Sequence, residues 1–317
     1  MPSYSGVWSL TAVTQAVGSN NWPFPLLTGD IAVFCGGGTN IMDYVSITSM
    51  GNATYFGNLT YVMTGRQSGA SSSTRGFTAG GYSLNTINYF TISTTGNASV
   101  FGNLTIARYA AQGVNDSTRA VWMGGINAGG AQTMMDYITM TTTGNATTFG
   151  NILFNTFNSR PLGSANSSTR GVIAGGYDTN YSNVIQYITT ATTGNSSDFG
   201  DLTQAVTEGC GTSNATRGLF AGGYITGFTK TNVIAYITIA STGNATDFGD
   251  LTLVGGIGSN NKAGASNATR GLFAGGDNGC NIIEFVTIAT TGNSTDFGDL
   301  SVGRDSLAGC SNSNGGL

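Results

Sequence analysis

"TRGLFAGG" occupies residues 216–223 and returns unchanged at 269–276. An apolar run closed by a glycine pair has two readings. It can be a loop that cradles a phosphate, or a strand in a repeated structural unit. A phosphate loop needs a helix N-terminus behind the glycines and, usually, a lysine. Neither is visible after either copy, so the structural reading is preferred.

Glycine pairs that close apolar runs begin at Gly36, Gly80, Gly124, Gly175, Gly222 and Gly275. A second marker is the Gly-Asn pair of "TTGNAT" and its variants, with glycines at Gly51, Gly96, Gly144, Gly194, Gly243 and Gly292. Five residues later stands a phenylalanine each time: Phe56, Phe101, Phe149, Phe199, Phe248 and Phe297. Three markers in constant order define six units of about 48 residues, a period that belongs to repeat architectures.

Each unit parses into four short strands. "TRGLFAGG" is one and "NVIAYITIAST" (232–242) is another. Gly-Asn reads as a turn, since both residues tolerate positive φ. "ATDFGDLT" (245–252) is the return strand. A stretch rich in Ser, Asn, Gly and Ala, such as 253–268, is expected to hold the fourth strand and the link to the next unit. Four-stranded units of this size predict propeller blades. Blades pack face to face, which accounts for runs too continuously apolar for a sheet with one wet face.

Composition agrees and removes several function classes. Of 317 residues, 50 are glycine and only 8% are charged. The 11 lysines and arginines are scattered and the net charge is −4, so a phosphate-tracking nucleic-acid surface is not expected. No apolar run is long enough for a membrane span, and "MPSYSGVWSL" shows no secretory signal. Histidine is absent, which excludes His metal ligands, His general bases and Ser-His-Asp systems. Cys35, Cys210, Cys280 and Cys310 lack CxxC spacing and read as buried thiols.

The marker order resembles the Kelch repeat: Gly222-Gly223, Tyr236, Phe248 and Leu251 in one unit, and Gly80-Gly81, Tyr89, Phe101 and Leu104 in another. The resemblance spans about residues 28–301 and implies an all-β, six-bladed Kelch-like β-propeller with four-stranded blades. The chain departs from that pattern with Phe where Kelch units carry Trp. The Arg that opens each following unit is irregular, with Arg66, Arg108 and Arg160 as candidates. The phrase "ATRGLFAGG…NVIAYITIASTGNATDFGDLT" also resembles repeats in virion and tail-fibre-like proteins of marine bacteriophages. That likeness implies a virion-associated, homo-oligomeric structural or host-attachment protein. Its partners would be other virion proteins or copies of itself, with host-surface glycan as a further ligand.

The chain reads as one propeller domain over 1–317 with strand-like segments at both ends, 5–13 and 302–316. These segments either pair with each other and seal the ring, the preferred reading, or add to the edge of a neighbouring molecule.

Several recurring residues invite chemistry and have a plainer reading. Arg75, Arg119, Arg170, Arg217 and Arg270 open the "TRG" or "TRA" strand, with Ile31 in unit one. They read as forks bonding carbonyls at blade junctions rather than as an anion collar. Carboxylates flank Phe in the last three units (Asp198/Asp201, Asp247/Asp250, Asp296/Asp299), but the earlier units carry Tyr55/Asn58, Val100/Asn103 and Thr148/Asn151 there, and Asp and Asn alternate because both suit turns. The Asn-x-Ser/Thr sequons at Asn52, Asn97, Asn145, Asn195, Asn244 and Asn293 follow from the turn pattern and are not expected to carry glycans. Trp22 and Phe24 read as core.

Specificity is expected in the loops after the glycine pairs, which vary while the frame does not. They hold Tyr82, Asn127, Tyr177, Asp178, Tyr181, Tyr224, Asp277 and Asn278. Tyr and Asn suit sugar faces and hydroxyls. No catalytic residue, metal ligand or cofactor is assigned. The expected function is a non-enzymatic virion structural protein; the alternatives are a glycan-binding lectin or adhesin, and third a carboxylate-based polysaccharide-degrading enzyme.

Overall fold

A computed structural model describes residues 26–66, 69–153, 161–177, 180–252 and 260–313. The segment 5–13, Trp22, Phe24, Arg160 and Asp178 lie outside the described residues. The chain is an all-β, six-bladed propeller in which every blade is a four-stranded antiparallel sheet. Blade two shows the pattern: inner strand Gly69–Ser71, second strand Arg75–Gly81, third strand Leu84–Thr91 and outer strand Ser99–Asn103. Blades three to six repeat it, with inner strands Gln112–Asn115, Gly163–Asn166, Cys210–Ser213 and Ala263–Ser266.

Blade one takes its inner strand from the other end of the chain. Leu307–Ser311 pairs antiparallel with Ile31–Gly36, placing Cys310 opposite Val33 and Ala308 opposite Cys35. Ile41–Ser46 and Thr54–Asn58 complete this blade. The segment around 302–316 thus closes the ring within the molecule by supplying a missing blade strand.

Second strands are wedged between neighbouring blades, and Ile31–Gly36 is buried at every residue. Between blades six and one, Phe34 and Val45 pack with Leu272, Ile283 and Phe297. Trp122 fills the equivalent space between blades three and two, against Phe77 and Phe101. Near the axis the residues are small, because six sheets converge there. Their hydroxyls bond from blade to blade: Ser266 Oγ donates to Ser213 O at 2.6 Å, and Ser311 Oγ to Ser266 O at 2.7 Å. All four cysteines are free and buried. Burial pushes the Cys210 and Cys310 thiols up to about 12.

Three sequence markers meet in space. In each blade the recurrent phenylalanine is the bulged residue of the outer strand, skipped where Asp43 faces Tyr55 and Met42 faces Gly57, for example. The bulge aims Phe56 at Tyr44 of the third strand, edge to face at 6.0 Å. In blades two to six the "TRG" arginine lies over the same third-strand ring, as Arg170 does over Tyr187 at 4.6 Å. That arginine also reaches the next blade. Arg119 Nη1 donates to Ala191 O at 2.7 Å, and Arg217 Nη1 to Ala289 O at 2.8 Å. The junction-fork reading therefore holds. In blade one, where Ile31 replaces Arg, the Leu27 N–H donates to Ser93 O of blade two at 2.7 Å instead.

The Gly-Asn pair acts differently from a tight hairpin turn. The third strand ends at Thr238 and the outer strand begins at Thr246, so seven residues intervene in blade five. None of the six asparagines adopts positive φ. The segment instead clasps the preceding blade. Gly243 N donates to Phe199 O (2.8 Å) and Ala245 N to Asp201 O (2.7 Å), while Asn244 Oδ1 accepts from Asp201 N at 3.0 Å. The same three bonds recur at every junction, including Asn52 Oδ1 with Asp299 N at 3.1 Å. They occupy the outward edge of each outer strand, which protects it from pairing with another chain. The sequon asparagines are thus committed to the frame.

One buried polar position also recurs. Asp43, Asn88, Asp136, Gln186 and Glu284 occupy the same place in the third strand and are fully buried. Each accepts from the exit loop of the preceding blade, as Asn88 Oδ1 does from Thr60 Oγ1 at 2.6 Å. Where the residue is acidic a cation is buried beside it: Arg304 with Asp43 (2.7 Å), Arg108 with Asp136 (3.1 Å) and Lys262 with Glu284 (3.2 Å). For Asn88 the apolar Met63 stands in place of the arginine, and in blade five, where Ala235 takes the polar position, Val206 does. Burial lowers the Arg108 and Arg304 guanidinium pKa values, and the facing aspartates offset part of that cost.

Candidate recognition face

Antiparallel blades send alternate connections to opposite faces of the ring. One face carries the short turns and Gly-Asn clasps just described. The other carries the loops after the glycine pairs and the exit connections that lead to the next inner strand.

Glycine pairs mark the boundary of this second face. Gly80 has φ of 80°, and a Cβ there would collide with the Arg108 carbonyl oxygen. The amide of the following glycine donates to the same carbonyl: Gly81 N to Arg108 O at 3.0 Å, with Gly176 N to Val206 O (2.9 Å) and Gly276 N to Arg304 O (3.1 Å) as equivalents. These N–H groups serve backbone carbonyls, which settles the phosphate question against a ligand loop.

The central channel opens between the exit connections and is narrow, about 70 Å³, lined by inner-strand residues. Arg66 and Glu208, from the connections into blades two and five, form an ion pair across its mouth. Blades two and five are opposite in a ring of six. Ala110, Glu208, Asn261 and Ser306 around this mouth have φ between 57° and 66°, a left-handed conformation that costs non-glycine residues free energy. It is held by a backbone chain in which Asn261 N donates to Glu208 O (2.7 Å) and Ser306 N to Asn261 O (2.9 Å).

The predicted loop residues fall into distinct groups. Tyr82, at the tip of a two-residue turn, is 66% exposed and lies 5.5 Å from Tyr109. Asn127 belongs to a small hairpin, Ile126–Asn127 with Gly130–Ala131, on the neighbouring blade. Tyr177 and Tyr181 meet edge to face at 5.2 Å. Phe228 joins them to Tyr224, 6.3 Å from Tyr181 and 6.2 Å from Tyr224. Tyr224 then leads to a polar group. With the Asn260 amide assigned the orientation that turns its nitrogen to the carboxylate, the Tyr224 hydroxyl donates to the amide oxygen at 3.2 Å and the amide nitrogen donates to both Asp277 oxygens, at 2.7 and 2.9 Å. Lys230 forms an ion pair with Asp277. Asn278 is exposed, with φ of 59°.

Tyr177, Tyr181, Tyr224 and Asp277 therefore lie along one arc over blades four to six, while Tyr82 and Asn127 lie over blades two and three. Sequence reasoning missed Tyr109 and Phe228. Tyr109 stands in an exit connection rather than a glycine-pair loop. Phe228, 66% exposed at φ of 57°, is a bulky residue in a conformation it rarely adopts. Its sequence context "ITGFTK" carried one signal, an aromatic beside a glycine in the longest such loop.

Among the described residues no helix is long and apolar enough to cross a membrane. No protein-family model and no curated protein matches the chain. Fold and surface define a closed six-bladed β-propeller with an aromatic loop face.

Proposed function

We propose that the chain is a non-enzymatic structural protein of a bacteriophage particle, in a tail fibre or similar appendage. It works through contacts with other virion proteins or copies of itself, and meets the host surface with its loop face. The observation that carries this reading is the difference between the two faces. On the turn face, arginines and asparagines are spent on holding blade to blade. The loop face displays Tyr82 and Phe228 to solvent, where their rings add little to the frame. The Kelch-like marker order and the likeness of the repeat wording to phage tail-fibre-like proteins supply the particle context. A surface with few charges, held in water by hydroxyls and amides, suits a particle exposed to high salt.

The test is the composition of density-purified particles from a phage that encodes the chain. The protein should co-purify at fixed stoichiometry, and immunogold should label an appendage. Its presence in lysate but absence from infectious particles would sink the reading. A second reading, a glycan-binding adhesin, is favoured by the Tyr177–Tyr181–Phe228–Tyr224 arc.

A further inference from the structure

We infer that the cleft lined by Tyr82 and Tyr109 is a binding site for a neutral saccharide unit. The inference rests on the host-surface reading above and assigns it a place and a ligand class. The cleft has a volume of about 570 Å³, within the usual range for small-ligand sites. Ile106 and Ala107 contribute apolar lining. Ser83 and Asn127 contribute polar lining, and no charged residue lines it. A charged ligand would find no counter-ion there.

The backbone that carries each ring is fixed. The Tyr82 N–H donates to Thr64 O at 3.0 Å. Tyr109 exchanges two backbone bonds with Ile126, at 2.9 and 2.8 Å, which ties it to the hairpin carrying Asn127. Gly65 approaches Tyr109 closely, and a Cβ there would lie 3.1 Å from the Tyr109 Cβ. The two rings touch, 5.5 Å between centroids with planes tilted at 41°, so a ligand would lie against their outer faces on the cleft side.

The polar groups are oriented as well. Asn127 Oδ1 accepts from Gly129 N (2.8 Å) and Gln132 Nε2 (3.0 Å). With its oxygen engaged, the amide is fixed, and its Nδ2 supplies a donor in the cleft lining. A pyranose offers an apolar C–H face to an aromatic ring and hydroxyls to such a donor. An apolar face, an amide donor and the Ser83 hydroxyl match that ligand, and pre-organisation lowers the ordering cost of binding it.

The probes are the methyl glycosides of glucose, galactose, mannose and N-acetylglucosamine, read by saturation-transfer NMR on the whole chain. Gels containing laminarin, agarose or carrageenan provide a second readout by retardation. At least one neutral glycoside should give transfer, and a neutral polysaccharide should retard the protein. Tyr82→Ala should weaken both at least tenfold, Asn127→Ala several-fold, and Tyr82→Phe should retain most binding. Tyr82→Ala should melt with the parent protein, since its ring is solvent-exposed. No transfer from any neutral glycoside, retardation by sulfated carrageenan alone, or binding unchanged in Tyr82→Ala would overturn the inference. Saccharide binding by a protein absent from particles would sink the virion reading and leave this one standing.

Discussion

Arg270 of blade six donates from Nη1 to the carbonyl oxygens of Ile47 and Thr48 of blade one, both at 3.0 Å. Its guanidinium lies 5.0 Å from the centre of the Phe285 ring. The bond joins the last blade to the first, so the ring closes here as well as through the C-terminal strand. Hydrogen bonds from charged donors contribute about 1.5–3 kcal/mol. Arg270→Ala should therefore lower unfolding stability by about 2 kcal/mol in urea titrations. Arg270→Lys should recover less than half, because an ammonium lacks the planar fork.

Gly150 and Gly194 touch across the junction of blades three and four, yet only one tolerates a methyl group. A Cβ on Gly150 would overlap the Gly194 carbonyl, whereas a Cβ on Gly194 meets nothing within 4 Å. Overpacking against backbone costs roughly 1–3 kcal/mol or more. Gly150→Ala should lower the thermal midpoint by several degrees, and Gly194→Ala should leave it nearly unchanged. Equal effects would show that the clasp is not as tight as described.

Asp136 and Arg108 are both fully buried, so removing one charge strands the other. Asp136→Asn should cost about 3–5 kcal/mol. The chain itself contains the remedy, since blade two places Asn88 at this position where Met63 replaces the arginine. Arg108→Met combined with Asp136→Asn should regain most of the loss. A double variant as unstable as the single one would refute pairwise coupling.

Acid should weaken the fold in a narrow window. Burial opposes ionisation of Glu284, but Lys262 and the Thr252 N–H and hydroxyl outweigh it, so the folded pKa lies below the ordinary value. Asp116 is lowered too: burial opposes it, and bonds from Arg119 N and from Thr118 N and Oγ1 prevail. A depressed folded pKa contributes stability above the unfolded value, near 4.3 for Glu, and that contribution is lost as pH falls through the folded value. With no histidine in the chain, urea midpoints should be nearly level between about pH 5 and 8 and fall below about 4.5. Glu284→Gln should be less stable at pH 7 and show a shallower acid slope.

Much of the fold was legible because its constraints repeat. The Arg, Tyr and Phe markers recur since every blade stacks the same three side chains. Asp198, Asp247 and Asp296, which repeat in the last three units, lie exposed on outer strands. The Gly-Asn pair was misread as a tight hairpin because local turn chemistry says nothing about a neighbouring blade. The conserved work of Asn244 is to accept from Asp201 N, a partner 43 residues away. Of the candidate site, the variable loops after the glycine pairs were legible from the repeat, but which of their residues meet was not. Tyr82 meets Tyr109 and Tyr181 meets Phe228 only because adjacent blades bring separate loops together.

From the sequence alone came the number of units and the strands within each. Period and side-chain size act locally and are written once per blade. Only the tertiary structure decided that Leu307–Ser311 completes blade one, and that Arg66 and Glu208 meet across the channel. Those facts depend on how six wedges sum to a full turn, which joins residues as distant as Arg270 and Ile47, 223 positions apart. Curvature of that kind is a property of the packed ring and is absent from any single repeat.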